Sequence, residues 1–188
     1  MVRVIAGRFK SRRLKTLAGQ RTRPTSDRLR ETLFNVLGPA VEGCVFADCY
    51  AGSGAVGIEA LSRGAKKAYF LESNPQAVQM ICANLKALEI KDKEEAEVFS
   101  LAVTNALKKL THRGVQFDIA FVDPPYDAVE EYTRSLECFG AGSLLAPEAI
   151  VVAEHTKRLA LAEGYGALAR IRALRQGDAV LTFFGVKS

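Results

Sequence analysis

Short apolar runs alternate with amphipathic stretches through most of this chain, and that alternation restricts its fold more than any other feature. "CVFADC" (44–49) has strand length, and 55–63 follows with helical spacing, ending at Gly64. "KAYFLE" (67–72) repeats the first run. Pro75 then opens a helix in which Ala77, Met80, Ile81, Asn84, Leu85 and Leu88 share a face. The pattern continues with a strand near 97–102, a helix over 104–110, "FDIAFVD" (117–123), a helix over 128–139 and "AIVVAE" (149–154). Two last strands are expected at 168–174 and 179–186, joined by "RQGD". Continuous apolar strands between helices predict a mostly parallel sheet covered on both faces. Upstream, residues 2–17 mix β-branched and basic residues around Gly7 and suit a short hairpin. Residues 18–24 read as a loop. Thr25 or Ser26 then caps a helix carrying Leu29, Leu33, Val36 and Leu37, which Gly38-Pro39 stops.

The 188 residues, 48% of them apolar and 25% charged, fit one globular domain with a small appendage. No run of 18 apolar residues occurs and the first residues lack a signal peptide's apolar block, so the expected location is the cytoplasm. Cys44, Cys49, Cys82 and Cys138 show no CxxC spacing, and His112 and His155 lie far apart; no metal site is expected, and the cysteines read as reduced core or near-core residues. Charge is segregated. Residues 1–35 carry a net +8 and the remainder −3, within a total of +5. A basic arm over 1–24 on a slightly acidic body over 25–188 implies a polyanionic partner such as a nucleic acid, with Arg8, Lys10, Arg12, Arg13, Lys15, Arg23 and Arg28 as candidate contacts.

The first strand of the body ends in "DCYAGSGAVG" (48–57). Gly52 to Gly57 match GxGxxG in the context that gives the pattern meaning, after a strand and opening a helix. Glu72 ends the next strand, where an acid binds ribose hydroxyls. Two ligand classes fit, a dinucleotide such as NAD and S-adenosylmethionine. Asp48 favours the second. A carboxylate there repels a pyrophosphate in a low-dielectric pocket, but pairs with the ammonium of a methionine moiety. Asp48, Ala51, Gly52, Ser53, Gly54 and Glu72 are therefore candidate cofactor-binding residues.

The fourth strand ends in "VDPPYD" (122–127). Two prolines remove two donors, fix two φ angles and hold the residue before each extended. Ligands in such sheets bind beyond the carboxyl ends of the strands. Methyl transfer to an exocyclic amine of a base needs positioned acceptors, which Asp123 and the Pro124 carbonyl supply. Pro125 stiffens the turn, and Tyr126 offers a ring on which an extruded base stacks.

With these motifs the chain resembles class I S-adenosylmethionine-dependent methyltransferases acting on amino groups. "RVIAGRFKSRRL" and "TRPTSDRLRETLFNVL", with "GDAVLTFF" near the end, resemble more narrowly the RsmD family, which methylates guanine N2 in small-subunit (16S) ribosomal RNA. The resemblance implies a Rossmann-like α/β fold with a mostly parallel seven-stranded sheet, whose last pair is a hairpin inserting one antiparallel strand, and a small N-terminal β-hairpin extension that assists RNA binding. It also implies Asn105 near the adenine of the donor, and a partner that is 16S rRNA, free or in an assembling 30S particle, met by a monomer without metal or membrane. Guanine and adenine amines need the same grip, so an adenine-N6 methyltransferase of DNA or RNA stays open. A NAD-binding oxidoreductase is the alternative from another class, and an RNA-binding protein without activity a third.

Overall fold

The apolar runs become the middle strands of one sheet, in a computed structural model that describes residues 2–16 and 26–187. Two short strands come first, β1 (Val2–Arg3) and β2 (Arg13–Leu14), paired antiparallel across nine connecting residues. Helix α1 (Asp27–Leu37) follows, then one 3-10 turn (Gly38–Val41). The body alternates β3 (Val45–Cys49), α2 (Ala55–Ser62), β4 (Lys67–Glu72), α3 (Pro75–Ala87), β5 (Ala96–Ser100), α4 (Val103–His112), β6 (Phe117–Val122), α5 (Val129–Gly140) and β7 (Leu145–Thr156). It ends in β8 (Gly164–Tyr165), β9 (Leu168–Gln176) and β10 (Ala179–Val186). The loop expected over 18–24, with Arg23, and the Thr25 cap lie outside the described residues.

The large sheet runs β5-β4-β3-β6-β7-β10-β9-β8. The first five strands are parallel, and β10 inserts antiparallel between β7 and β9. The sheet has eight strands among the described residues, correcting the expected seven. The extra one is the two-residue edge strand β8, folded onto β9 through Gly166 at φ +56° and backed by α5, where a Cβ on Gly140 would sit 1.9 Å from the Tyr165 carbonyl. Two residues are too few to show a period. Strand β7 is longer than its apolar centre, and its ladder with β6 shifts register between Phe117 and Ile119. The shifted stretch of β7 contains Pro147, which has no donor for the ladder.

The helices start and stop for local reasons. Ser26 caps α1 by accepting from the Leu29 amide at 3.2 Å, and Gly38 at φ +52° ends it. Asn74 caps α3 through the Gln76 amide, with Pro75 in the first turn. Leu29, Leu33, Phe34 and Leu37 of α1 are buried, each contributing roughly 1.5–3 kcal/mol.

Helix α2 is buried all round, and the N-terminal arm explains why. All eight of its residues are buried. One side faces the sheet, while residues 5–9 cover another. Glu59 accepts from the Ile5 and Ala6 amides at 2.8 and 3.0 Å. The Ser62 carbonyl accepts from Arg8, and Ser62 Oγ accepts from Phe9. Gly7 has φ +80°, and a Cβ there would sit 1.8 Å from the Ser62 carbonyl oxygen. Glu59 and Arg30 are both fully buried, with Arg30 Nε 3.8 Å from Glu59 Oε2. Arg30 also donates to Asp27 and to the Arg3 carbonyl. Burial pulls the Arg30 pKa below its ordinary value, and Glu59 and Asp27 oppose that shift.

Candidate active site

Three parallel strands end together. Cys49 of β3 stands level with Leu71 of β4 and Val122 of β6. The chain leaves β3 for β4 and β5 on one side, while β6 and β7 lie on the other, so the order reverses between β3 and β6. The loops diverge at such a switch point and leave a crevice beyond the strand ends. Here they enclose a cavity of about 520 Å³. Asp48, Ala51, Gly52, Ser53 and Glu72 line it together with Asp123, Pro124, Pro125 and Tyr126.

On one side the loop after β3 is held by carboxylates. Glu72 is used at both oxygens: Oε2 accepts from the Gly52 amide at 2.9 Å and Oε1 from the Asn74 amide at 2.8 Å. Each oxygen keeps a further lone pair. Gly52 has φ +54°, and a Cβ built on it meets nothing within 4 Å, so its bare side is open space. Gly54 and Gly57 serve packing instead. A Cβ on Gly57 would lie 2.4 Å from the Phe70 ring and 3.1 Å from Asp48 Oδ2. Gly54 is buried and does not line the cavity. Asp48 is 2% exposed, and its Oδ2 accepts from the Gly57 amide at 2.8 Å. Burial pushes its pKa up to about 8; Glu72 adds to the rise, while the Gly57 amide and Arg30 oppose it.

On the other side Asp123 is half-buried and Pro124 buried, while Tyr126 is 43% exposed. The Pro124 carbonyl lies 3.4 Å from the hydroxyl of buried Tyr132, but that hydroxyl donates more closely to the Glu154 carbonyl, at 2.9 Å. Pro124 thus keeps acceptor capacity toward the cavity. Burial and the Asp123 charge push the Tyr132 pKa up, so its hydroxyl stays a donor.

Several lining residues carried no readable motif. Thr16 brings the end of the arm to the cavity. Buried Asn84 makes that possible. Its Nδ2 donates to the Lys15 and Ser53 carbonyls, each at 3.0 Å, and its Oδ1 accepts from the Lys15 amide at 2.8 Å, tying arm to glycine loop. In the sequence Asn84 shows only helical spacing. Tyr50, at φ +62°, and Glu131 also line the wall. Asn105, exposed in the first turn of α4, is not among the residues that line it.

The candidate RNA contacts divide. Arg8 pairs with Glu95 at 2.6 Å and lies over the Phe9 ring, and Arg12 donates to the Ala87 carbonyl. Among the described residues the side chains of Lys10, Arg13, Lys15 and Arg28 make no such contact, and all four are exposed. Cys44 and Cys49 are buried and Cys138 half-buried, but Cys82 is exposed on α3, which corrects the expectation that all four sit in or near the core. Its place on the outer turn of a helix, beside polar Gln79 and Lys86, put it on the wet face. Among the described residues no helix is long and apolar enough to cross a membrane, and no cluster of three or more ligating side chains suits a metal.

The family described as conserved hypothetical protein 95 matches residues 2–185. Ribosomal RNA small subunit methyltransferase D of Haemophilus influenzae is 39% identical over 157 residues, 83% of this chain and 79% of that protein. The Escherichia coli K12 protein of the same name is 39% identical over 81% and 74% of the two chains. A solved structure of a hypothetical protein from Thermus thermophilus superposes with a TM-score of 0.83 at 30% identity, over the whole of both chains. The T. thermophilus 16S rRNA N2 G1207 methyltransferase, in complex with AdoMet and guanosine, shares the fold, with a TM-score of 0.70 at 22% identity over 92% of this chain and 45% of that one. Matched from arm to final strand, the chain belongs to the conserved hypothetical protein 95 family, the family of the ribosomal RNA small subunit methyltransferases D.

Proposed function

We propose that this protein transfers the methyl group of S-adenosylmethionine to the exocyclic N2 amine of a guanine in 16S ribosomal RNA. The observation that carries the reading is one cavity, at the switch point, joining Asp48, Gly52 and Glu72 on one wall to Asp123, Pro124 and Tyr126 on the other. The residues suit the donor: the open side of Gly52 leaves room that a Cβ would fill, and acids stand where an ammonium and ribose hydroxyls need acceptors. Bound there, the donor supplies a methyl group on a positively charged sulfur, an electrophile. Asp48 pairs with its ammonium, and the remaining Glu72 lone pairs accept from its ribose. Asp123 and the Pro124 carbonyl accept from the target amine and aim it, while Tyr126 stacks on the base. Thr16 carries the arm to the rim of the same cavity, which supports RNA delivery by residues 1–24. The reading extends to a cytoplasmic monomer meeting free RNA or an assembling 30S particle, without a metal. Its test is transfer of labelled methyl to RNA from a strain lacking this protein, with the product nucleoside identified. A product other than N2-methylguanosine rejects it.

The raised pKa of Asp48 gives a signed expectation. Near neutral pH the free protein holds this proton, since its pKa is about 8. A bound ammonium stabilises the carboxylate and lowers that value, so binding releases a proton and affinity rises with pH between about 6 and 7.5. Calorimetry in buffers of differing ionisation enthalpy is expected to show release approaching one proton at pH 7, and none for Asp48→Asn. Equal proton counts for the two proteins would remove the ammonium contact.

For the arm, replacing Lys10, Arg13 and Lys15 together by Ala is expected to lower the slope of log K against log salt for RNA by about 2–3. Donor affinity stays unchanged. A wild-type slope in the triple variant would place the phosphate contacts elsewhere.

A further inference from the structure

Glu131, in the first turn of α5, lines the cavity beside Pro124, Pro125 and Tyr126, and the roles above leave it without a task. Its carboxylate is held at both oxygens. Oε2 accepts from the Tyr50 hydroxyl at 2.9 Å, and Oε1 from Arg134 Nη1 at 3.1 Å. The Tyr50 hydroxyl is also 2.8 Å from Oγ of Ser135, which is fully buried. One hydroxyl proton cannot serve two acceptors, so Ser135 donates to Tyr50 and Tyr50 donates to Glu131. Tyr50 spans from the end of β3 to α5 with φ +62°, a conformation uncommon outside glycine. A strained backbone and a buried hydroxyl thus orient one carboxylate, which retains a lone pair on each oxygen.

The chemistry of that lone pair selects a ligand edge. The Watson–Crick edge of guanine places two donors side by side, N1–H and the N2 amine. The edge of adenine places its amine beside N1 with no hydrogen, an acceptor. Beside an amine grip, an oriented carboxylate attracts the first edge and repels the second. We propose that Glu131, held by Tyr50 and Ser135, forms a base-edge subsite that accepts the N1–H of guanine and so excludes adenine. This rests on the guanine-N2 reading and supplies the discrimination that the Asp-Pro-Pro-Tyr grip alone lacks.

The test uses 16S RNA in which the mapped target guanosine is replaced, by splint ligation, with 2-aminopurine riboside. That base keeps the 2-amino group but has N1 as an acceptor. RNA is presented both free and in a reconstituted small-subunit particle. Wild type is expected to prefer guanosine by about 10- to 100-fold in kcat/KM, the range of a hydrogen bond to a charged group. Glu131→Gln narrows that preference at least about tenfold, because an amide donates to N1 as readily as it accepts. Tyr50→Phe narrows it less, since the carboxylate stays but loses its orientation. A purely structural role would slow both substrates equally. An unchanged ratio in Glu131→Gln, with wild type still forming N2-methylguanosine, overturns the subsite and leaves the reading standing. Absence of N2-methylguanosine from the wild-type product overturns the reading and the subsite together.

Discussion

Single-turnover methylation by Asp123→Ala, at saturating donor, is expected to fall by about 10²-fold or more while donor affinity stays within about twofold of wild type. Asp123 sits at the end of β6, level with the donor loop but on the opposite wall, so its loss removes an acceptor from the reacting amine and leaves the donor contacts in place. Small errors in aim at a reacting atom are amplified in rate. Asp123→Asn keeps one acceptor oxygen and is expected to retain intermediate activity. At the neighbouring ring, Tyr126→Phe keeps the stacking surface, whereas Tyr126→Ala loses about 1–3 kcal/mol of it. The expected order is wild type, Tyr126→Phe, Tyr126→Ala. Wild-type rates in both Asp123→Ala and Tyr126→Ala would reduce "VDPPYD" to a strand stop.

The largest effect on stability is expected at Glu59, outside the cavity. Glu59→Ala leaves buried Arg30 with only the part-exposed Asp27 as counter-charge, takes the 2.7 Å partner from Arg63 and leaves the Ile5 and Ala6 amides without their acceptor. Breaking one side of a buried pair costs about 3–5 kcal/mol, so the urea midpoint falls steeply. The arm is also expected to detach, which amide exchange at Ile5 and Ala6 would report. Replacing Arg30 and Glu59 together by Met recovers part of the loss, because no fully buried charge is stranded, but not the part owed to the two amides or to Arg63, whose Nε pairs with Glu59 at 2.7 Å. A Glu59→Ala midpoint equal to wild type would mean the arm is held by other contacts.

What the sequence settled by itself was whatever rests on local chemistry. Apolar runs at strand length, Pro75 opening α3 and Gly38 ending α1 are decided within a few residues, and the parallel core follows from strands with no polar face. The glycine loop, Glu72 and Asp123–Tyr126 were legible because each stands at a strand end, and register then brings strand ends together whatever the loops do. Edge strand β8 was not legible, since two residues carry no period and only the close approach of Gly140 to Tyr165 fixes their place. The division of labour within the glycine motif also needed the tertiary structure: Gly52 faces open space, while Gly57 packs on Phe70, a residue 13 positions on. Polar groups with internal partners were the least legible of all. In a sequence, Glu59, Asn84 and Glu131 are charged or polar residues at helical spacing, which ordinarily means a wet face. Their partners, Ile5 and Ala6, Lys15 and Ser53, and Tyr50, lie 31 to 81 positions away. A polar side chain becomes a latch or a base reader only when folding removes water from it and supplies those partners in its place, and that exchange is set by which elements meet in three dimensions.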